Sequence, residues 1–302
     1  MRYRPFAHFK LSLSAVSLAL TDEHGPRSVE EWVALIFAGL EAGINCFEVQ
    51  GRHPHIAQGL ERALVGVDRR LVVIAWRIGP RSIPEEYAAR AFQPQLIQAA
   101  IKSAMVRARL DYLDILLLDD PGEHDLPPQS LALLKQLKGQ GVIRFIGVAG
   151  EDEAIDAYIS TGAFDTLALP FSMASGWRDR LRLRAAQERD MAVIGYGYYP
   201  QLLHPAQVEE VKRSFWSPKA PEAQATAYDF LSQTPHWGPE EICLAYALTE
   251  PSIATVQITA DDPVRIQTLA AAADRDMPSG LPAQIEMARI NTGREGGALR
   301  HA

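Results

Sequence analysis

Apolar positions along this chain keep two rhythms in turn. Short unbroken apolar runs alternate with stretches in which apolar residues return every three or four positions. The first pattern reads as strands buried on both faces, the second as amphipathic helices packed on them. Strands are expected over 12–20, 44–49, 71–77, 111–118, 143–149, 164–169, 192–196 and 254–258. Helices are expected over 28–42, 54–64, 94–110, 127–139, 151–160, 177–188, 239–248 and 263–273. Eight such units predict an α/β chain folded as a (β/α)8 TIM barrel, one domain spanning 1–302.

Local signals support these boundaries. Ser28 followed by Glu31 is a capping box for the first long helix. Gly43 turns that helix into a strand that ends in Glu48, Arg52, His53 and His55. Ionisable groups just beyond the carboxyl end of a barrel strand mark the face where such folds carry chemistry. Residues 197–237 keep no period and hold Tyr198, Tyr199, Phe215, Trp216 and Trp237. They read as a variable loop, and its aromatics as a candidate partner surface or a lid. The Gly-rich tail 291–302 reads as mobile.

Composition narrows the picture. Hydrophobic residues make up 47% of the 302, enough for a large core and too many for a disordered chain. The net charge is -7 with the cations dispersed, which argues against a nucleic-acid partner. Cys46 and Cys243 stand far apart, so no disulfide framework is expected and a reducing, cytoplasmic setting fits. Cys46 falls on a strand, where its thiol is expected to be unreactive. Arg2, Arg4 and Lys10 ahead of the apolar run 11–20 have the look of a leader, yet the barrel needs that run as its first strand. No run reaches the ~18–20 apolar residues of a membrane span.

Four segments, in order and on expected elements, carry a resemblance. They are Glu41-Ala-Gly-Ile-Asn-Cys-Phe-Glu48, Asp111-Tyr-Leu-Asp-Ile-Leu-Leu-Leu118, Gly141-Val-Ile-Arg-Phe-Ile-Gly-Val148, and Leu244-Ala-Tyr-Ala-Leu248 with Pro251-Ser-Ile-Ala-Thr-Val256. Over about residues 10 to 275 the chain resembles the aldo/keto reductases. That resemblance implies NAD(P)H-dependent carbonyl reduction by a Tyr acid, a Lys, an Asp and a His at strand ends. The matching positions here are Glu48 for the Asp, His53 for the Tyr, Arg77 for the Lys and Asp119 for the His, so all four are substituted. An arginine keeps the charge but stays protonated. An ionised Asp119 would repel a carbonyl oxygen that gains negative charge. Glu48, Arg77 and Asp119 could equally form a structural ion-pair cluster.

The positions that the resemblance assigns to the cofactor depart as well. Ala149 and Gly150 replace a Ser-Asn pair, and Ala168 replaces a Gln; all of these hold the nicotinamide amide in the family. Tyr196 matches the ring on which nicotinamide stacks. Thr259, Asp261 and Asp262 fall where phosphate is held. Two carboxylates there disfavour NADP(H) relative to NAD(H), for which weak binding is expected. They would also serve to cap the helix opening at Pro263.

Three functions follow as expectations. The first is a catalytically silent relative that acts as a regulatory or sensor protein, with a protein partner and a small-molecule ligand. The second is an active oxidoreductase in which His53 gives the proton and Arg77 steadies the oxyanion. The third is a metal-dependent hydrolase using Glu48, His53, His55, Asp119 and Asp120.

Overall fold

The computed structural model describes residues 1–23, 25, 27–203 and 227–298. Phe215 and Trp216 lie outside them. The described chain opens with a short antiparallel hairpin, β1 (Tyr3–Pro5) and β2 (Ser12–Ser14). The repeats follow as β3 (Val16–Leu20), α1 (Val29–Glu41), β4 (Cys46–Val49), α2 (Pro54–Ala63), β5 (Val73–Ile78), α3 (Pro94–Ala108), β6 (Leu113–Asp119) and α4 (Pro128–Gly139). They continue as β7 (Ile143–Ala149), α5 (Ala154–Thr161), β8 (Thr166–Pro170), α6 (Trp177–Glu188), β9 (Ala192–Tyr196), α7 (Pro239–Ala247), β10 (Ile253–Ile258), α8 (Pro263–Ala273) and α9 (Leu281–Ala298). Strands β3 to β10 are parallel and close on themselves, with β10 paired to both β3 and β9. This is the expected (β/α)8 barrel.

Alternation along the strands builds two cores. Val16, Leu18, Phe47, Ile74, Leu116, Ile146, Leu167 and Val193 face outward and pack under the helices. Cys46, Val73, Ala75, Ile115, Leu117, Phe145, Ala168 and Ile194 fill the lumen. Small residues on β7, β8 and β9 let the lumen hold the larger ones opposite, the layered filling such a barrel requires. The α1 cap forms as read. Ser28 Oγ accepts from the Glu31 N–H at 3.2 Å, and Glu31 Oε2 accepts from the Ser28 N–H at 2.7 Å.

One expectation needs correction. The strand expected over 12–20 is broken at Ala15. The Ser14 hydroxyl donates to the Val16 carbonyl (2.6 Å), Asn45 Oδ1 accepts from the Ser14 N–H (2.8 Å), and the Ala15 N–H donates to the Arg2 carbonyl (2.8 Å). Side chains and the N-terminal segment take bonds that a continuous ladder would have used. Beyond the eight expected units, Leu281, Ile285 and Ala288 form a buried i, i+4, i+7 face of a further helix, α9.

The hairpin folds beneath the barrel as a plug. Phe6 and Leu13 are fully buried in the lumen cluster, and Phe6 and Phe9 meet Phe145 at ring distances of 5.2 and 4.5 Å. The amino-terminal end of the barrel is thereby sealed with aromatics, leaving the opposite end for polar groups. Phe6→Ala is expected to lower unfolding free energy by about 3–5 kcal/mol in urea titrations, the cost of an unfilled aromatic cavity.

Candidate functional site at the barrel mouth

The lumen turns polar at the carboxyl ends of the strands. β4 contributes Glu48, β5 Arg77, β6 Asp119, β9 Tyr196 and β10 Gln257. Glu48, Arg77 and Asp119 are at most 8% exposed. Arg77 Nε donates to Glu48 Oε1 at 2.6 Å, and Arg77 Nη1 donates to Asp119 Oδ1 at 3.1 Å. The chain of charge continues outward, with Arg81 Nε donating to Asp119 Oδ2 at 3.2 Å. The other Glu48 oxygen accepts from Gln257 Nε2 at 2.6 Å, and Gln50 Nε2 reaches both Glu48 Oε1 (2.9 Å) and Gln257 Oε1 (2.6 Å). Alternating charges therefore run Glu48, Arg77, Asp119, Arg81 from lumen to rim, and they cancel. Gly79 permits this crowding, since a Cβ on it would lie 2.6 Å from Asp119 Cβ.

Burial works against the Arg77 charge, but Glu48, Asp119 and Tyr196 outweigh it and hold the guanidinium above its ordinary range. Its Cζ sits 5.3 Å from the Tyr196 ring centre. Burial pushes the Tyr196 phenol well up, and the opposing pull of Arg77 does not restore it. Arg77 Nη2 has no partner among the described residues, so the cluster is one acceptor short. Above these groups opens a cavity of about 670 Å³, which runs past Tyr196 and Gln257 to Thr259, Asp261 and Arg265.

Three of the four substituted positions thus meet, and the fourth does not. His53 is the N-cap of α2, with its Nδ1 accepting from the His55 N–H at 3.3 Å and its ring edge-on to His55. Pro54 starts the helix immediately after it, which fixes His53 at the cap. Its side chain lines a different cavity, outside the barrel. His55 Nδ1 bonds the Arg27 carbonyl at 2.9 Å. Among the described residues no group of three or more His, Cys, Asp or Glu could hold a metal. Arg77 occupies the place between Glu48 and Asp119 where a cation would sit, so the described residues offer the metal-hydrolase expectation no ligand set.

The remaining expected positions fall as follows. Ala149 and Ala168 are fully buried, and the Gly150 N–H donates to the Ala168 carbonyl at 3.1 Å. None of the three carries a side-chain donor or acceptor of its own, and the Asp120 carboxylate lies beside Gly150. Asp262 caps α8, accepting from the Arg265 N–H at 3.0 Å, and Asp261 pairs with Arg27 Nη2 at 2.6 Å beside Thr259. Tyr198, expected on either a partner surface or a lid packed on the barrel, is buried, with its hydroxyl donating to Glu240 Oε1 at 2.7 Å; Tyr199 donates to the Leu203 carbonyl at 2.8 Å. Both pack on the barrel. Burial also raises the Cys46 thiol well above its usual range. Sequence reading missed Gln50, Arg81 and Gln257. Gln257 was findable as the one amide inside the apolar run of β10.

A parallel eight-stranded barrel with an ionisable cluster at its carboxyl mouth is the architecture of the barrel oxidoreductases and hydrolases. The sequence model of the Aldo/keto reductase family matches residues 18–286, and the chain belongs to that family. In fold it is similar to the aldo-keto reductase AKR11C1 from Bacillus halodurans. The holo form superposes with a TM-score of 0.75 and the apo form with 0.72, each at 17% identity over 95% of this chain and 96% of that one. No curated protein matches the chain. Among the described residues no helix is long and apolar enough to cross a membrane.

Two outcomes test the cluster. Arg77→Ala strands two buried carboxylates and is expected to cost about 3–5 kcal/mol in urea unfolding, while the triple variant Glu48→Gln, Arg77→Met, Asp119→Asn recovers most of it. Asp120 adopts φ 53°, and its carboxyl is held above the usual range by desolvation first, then by Asp152 and Asp119. A raised folded-state carboxyl loses stability as pH rises through its own value. Asp120→Asn, well suited to that backbone, should therefore raise the Tm at pH 7, with the gain vanishing as pH falls below the carboxylate range.

Proposed function

We propose that this chain is an aldo/keto reductase relative that does not reduce carbonyls and works as a ligand-responsive regulatory protein. The observation that carries this reading is the Arg77 clamp. Carbonyl reduction needs a group that gives up a proton to the developing alkoxide. Arginine cannot do so, and both of its bonded nitrogens are spent on carboxylates. The Tyr196 phenol is shifted in the wrong direction for an acid. The alternative in which His53 supplies the proton loses its support, because that side chain lines a cavity outside the mouth.

The residues present also do not fit a nicotinamide dinucleotide. Ala149, Gly150 and Ala168 offer the carboxamide no side-chain partner. At the other end Asp262 already satisfies the first turn of α8, the kind of helix terminus that holds phosphates elsewhere. Arg265 is tied to Glu240 at 2.7 Å and Arg27 to Asp261 at 2.6 Å. Among the described residues lining the mouth, Asp22, Glu23, Asp119, Glu151, Glu240 and Asp261 outnumber Arg77, Arg81 and Arg265. Such a surface opposes a pyrophosphate and opposes an added 2′-phosphate more. In this reading NAD(H) binds weakly, NADP(H) more weakly, and the mouth takes another small polar ligand whose occupancy is passed to a protein partner.

The test is a fluorescence titration with NADH and NADPH, followed by an assay of reduced-nicotinamide consumption with 4-nitrobenzaldehyde. Weak NADH binding, weaker NADPH binding and no turnover are expected. Stoichiometric oxidation of either cofactor by the purified protein would overturn the reading.

A further inference from the structure

A second cavity, of about 550 Å³, lies outside the barrel between α2 and α3. That volume is ample for a small organic ligand, whose sites span about 300–1,000 Å³. Its origin is legible in α3. Leu96, Ala99, Ala100, Ser103 and Ala104 present one face of small residues toward α2, which answers with Ala57. The helices therefore do not close over the outer face of β5, and Trp76 is left half-buried as the floor. The turns that follow β5 bring Ile83, Pro84 and Tyr87 over one side.

The rim is chemically one-sided. Arg52, His53 and Arg107 line it, and no carboxylate does, in a chain whose net charge is -7. Arg107 makes no hydrogen bond or ion pair with the described residues. Arg52 makes one long bond, Nη1 to the Ile83 carbonyl at 3.3 Å. Exposed arginines elsewhere in the chain are largely paired, as Arg62 with Glu30, Arg109 with Glu61 and Arg178 with Glu153. An apolar, aromatic-floored cavity with uncommitted guanidiniums at its rim has a definite complement.

We propose that this cavity binds an amphipathic monocarboxylate with an aromatic body. The ring system lies against Trp76 and beneath Tyr87, and the carboxylate meets Arg52 and Arg107. The site is separate from the barrel mouth. The loop between β4 and α2 is the wall between them, since Gln50 lines the mouth while Gly51, Arg52 and His53 line this cavity. The inference does not depend on whether the chain reduces carbonyls.

The probe is naphthalene-2-carboxylate, titrated by calorimetry and by tryptophan fluorescence, with naphthalene-2-carboxamide as the uncharged control. The carboxylate should bind one per chain, and the amide about tenfold more weakly, because it forfeits the charge-assisted bonds. Arg52→Gln with Arg107→Gln should weaken the carboxylate by about tenfold or more and leave the amide unchanged. Trp76→Phe should remove most of the fluorescence response. Ala99→Phe, at a solvent-exposed position on the α3 face that lines the cavity, should block both probes while far-UV circular dichroism stays native. No saturable carboxylate binding, equal affinity for the two probes, or binding that survives Ala99→Phe would each overturn the proposal. The arginine pair keeps the test decisive should Ala99→Phe fail to fold.

Discussion

A guanidinium fixed between two buried carboxylates governs what this barrel mouth can be. Charges so far from solvent persist only when paired, and each of the three is paired by the others. Glu48 is further saturated by Gln50 and Gln257, and Asp119 by Arg81. The cluster is therefore a cross-brace over the open end of the lumen, joining β4, β5 and β6 to β10. It also consumes the donors and acceptors that a reaction would need free. A lysine at Arg77 would be a point charge able to lose a proton and to polarise a neighbouring phenol. Guanidinium is a planar fork whose charge is permanent. Its pairing with two carboxylates fixes that fork in one orientation.

The two ends of the barrel divide the physical work. Phe6, Phe9 and Phe145 seal the lower end by apolar packing, so the fold does not depend on the upper end for closure. The mouth can then change its polar groups with little consequence for the scaffold, provided that buried charge stays balanced. This separation lets one chain keep the architecture of its family while every position implied for catalysis is substituted.

The same separation explains what was legible in the sequence. The segments that carried the family resemblance turn out to be structural. Asn45 bonds the Ser14 N–H and the Ser12 carbonyl, tying the start of β4 to the hairpin strand β2. Asp114, fully buried, accepts from Arg69 Nη2 at 2.6 Å, Arg144 Nη1 at 2.7 Å and the Ile74 N–H at 2.9 Å, so it stitches β5, β6 and β7. Such residues sit on regular elements, and their spacing announces the fold. Glu48, Arg77 and Asp119 were found because each ends an apolar run. That His53 stands apart from them was not legible, because its place depends on where a helix begins, and Pro54 decides that locally. For Tyr198 the two alternatives stayed open because a loop without period gives no sign of which side packs inward.

Polar side chains that interrupt an apolar strand have two ways to be satisfied, and they differ in what they leave available. At Asp114 the bonds to Arg69, Arg144 and the Ile74 N–H are all made within the protein, on the helix-facing side of the sheet. At Arg77 the pairing is nearly complete but Nη2 is left over, and the group lies beneath an open cavity. That single unspent donor distinguishes a brace from a closed structural ion pair. It can take an acceptor from a ligand or from water without disturbing either carboxylate. Recognising an acceptor requires a fixed donor, whereas catalysing reduction requires one that can let its proton go.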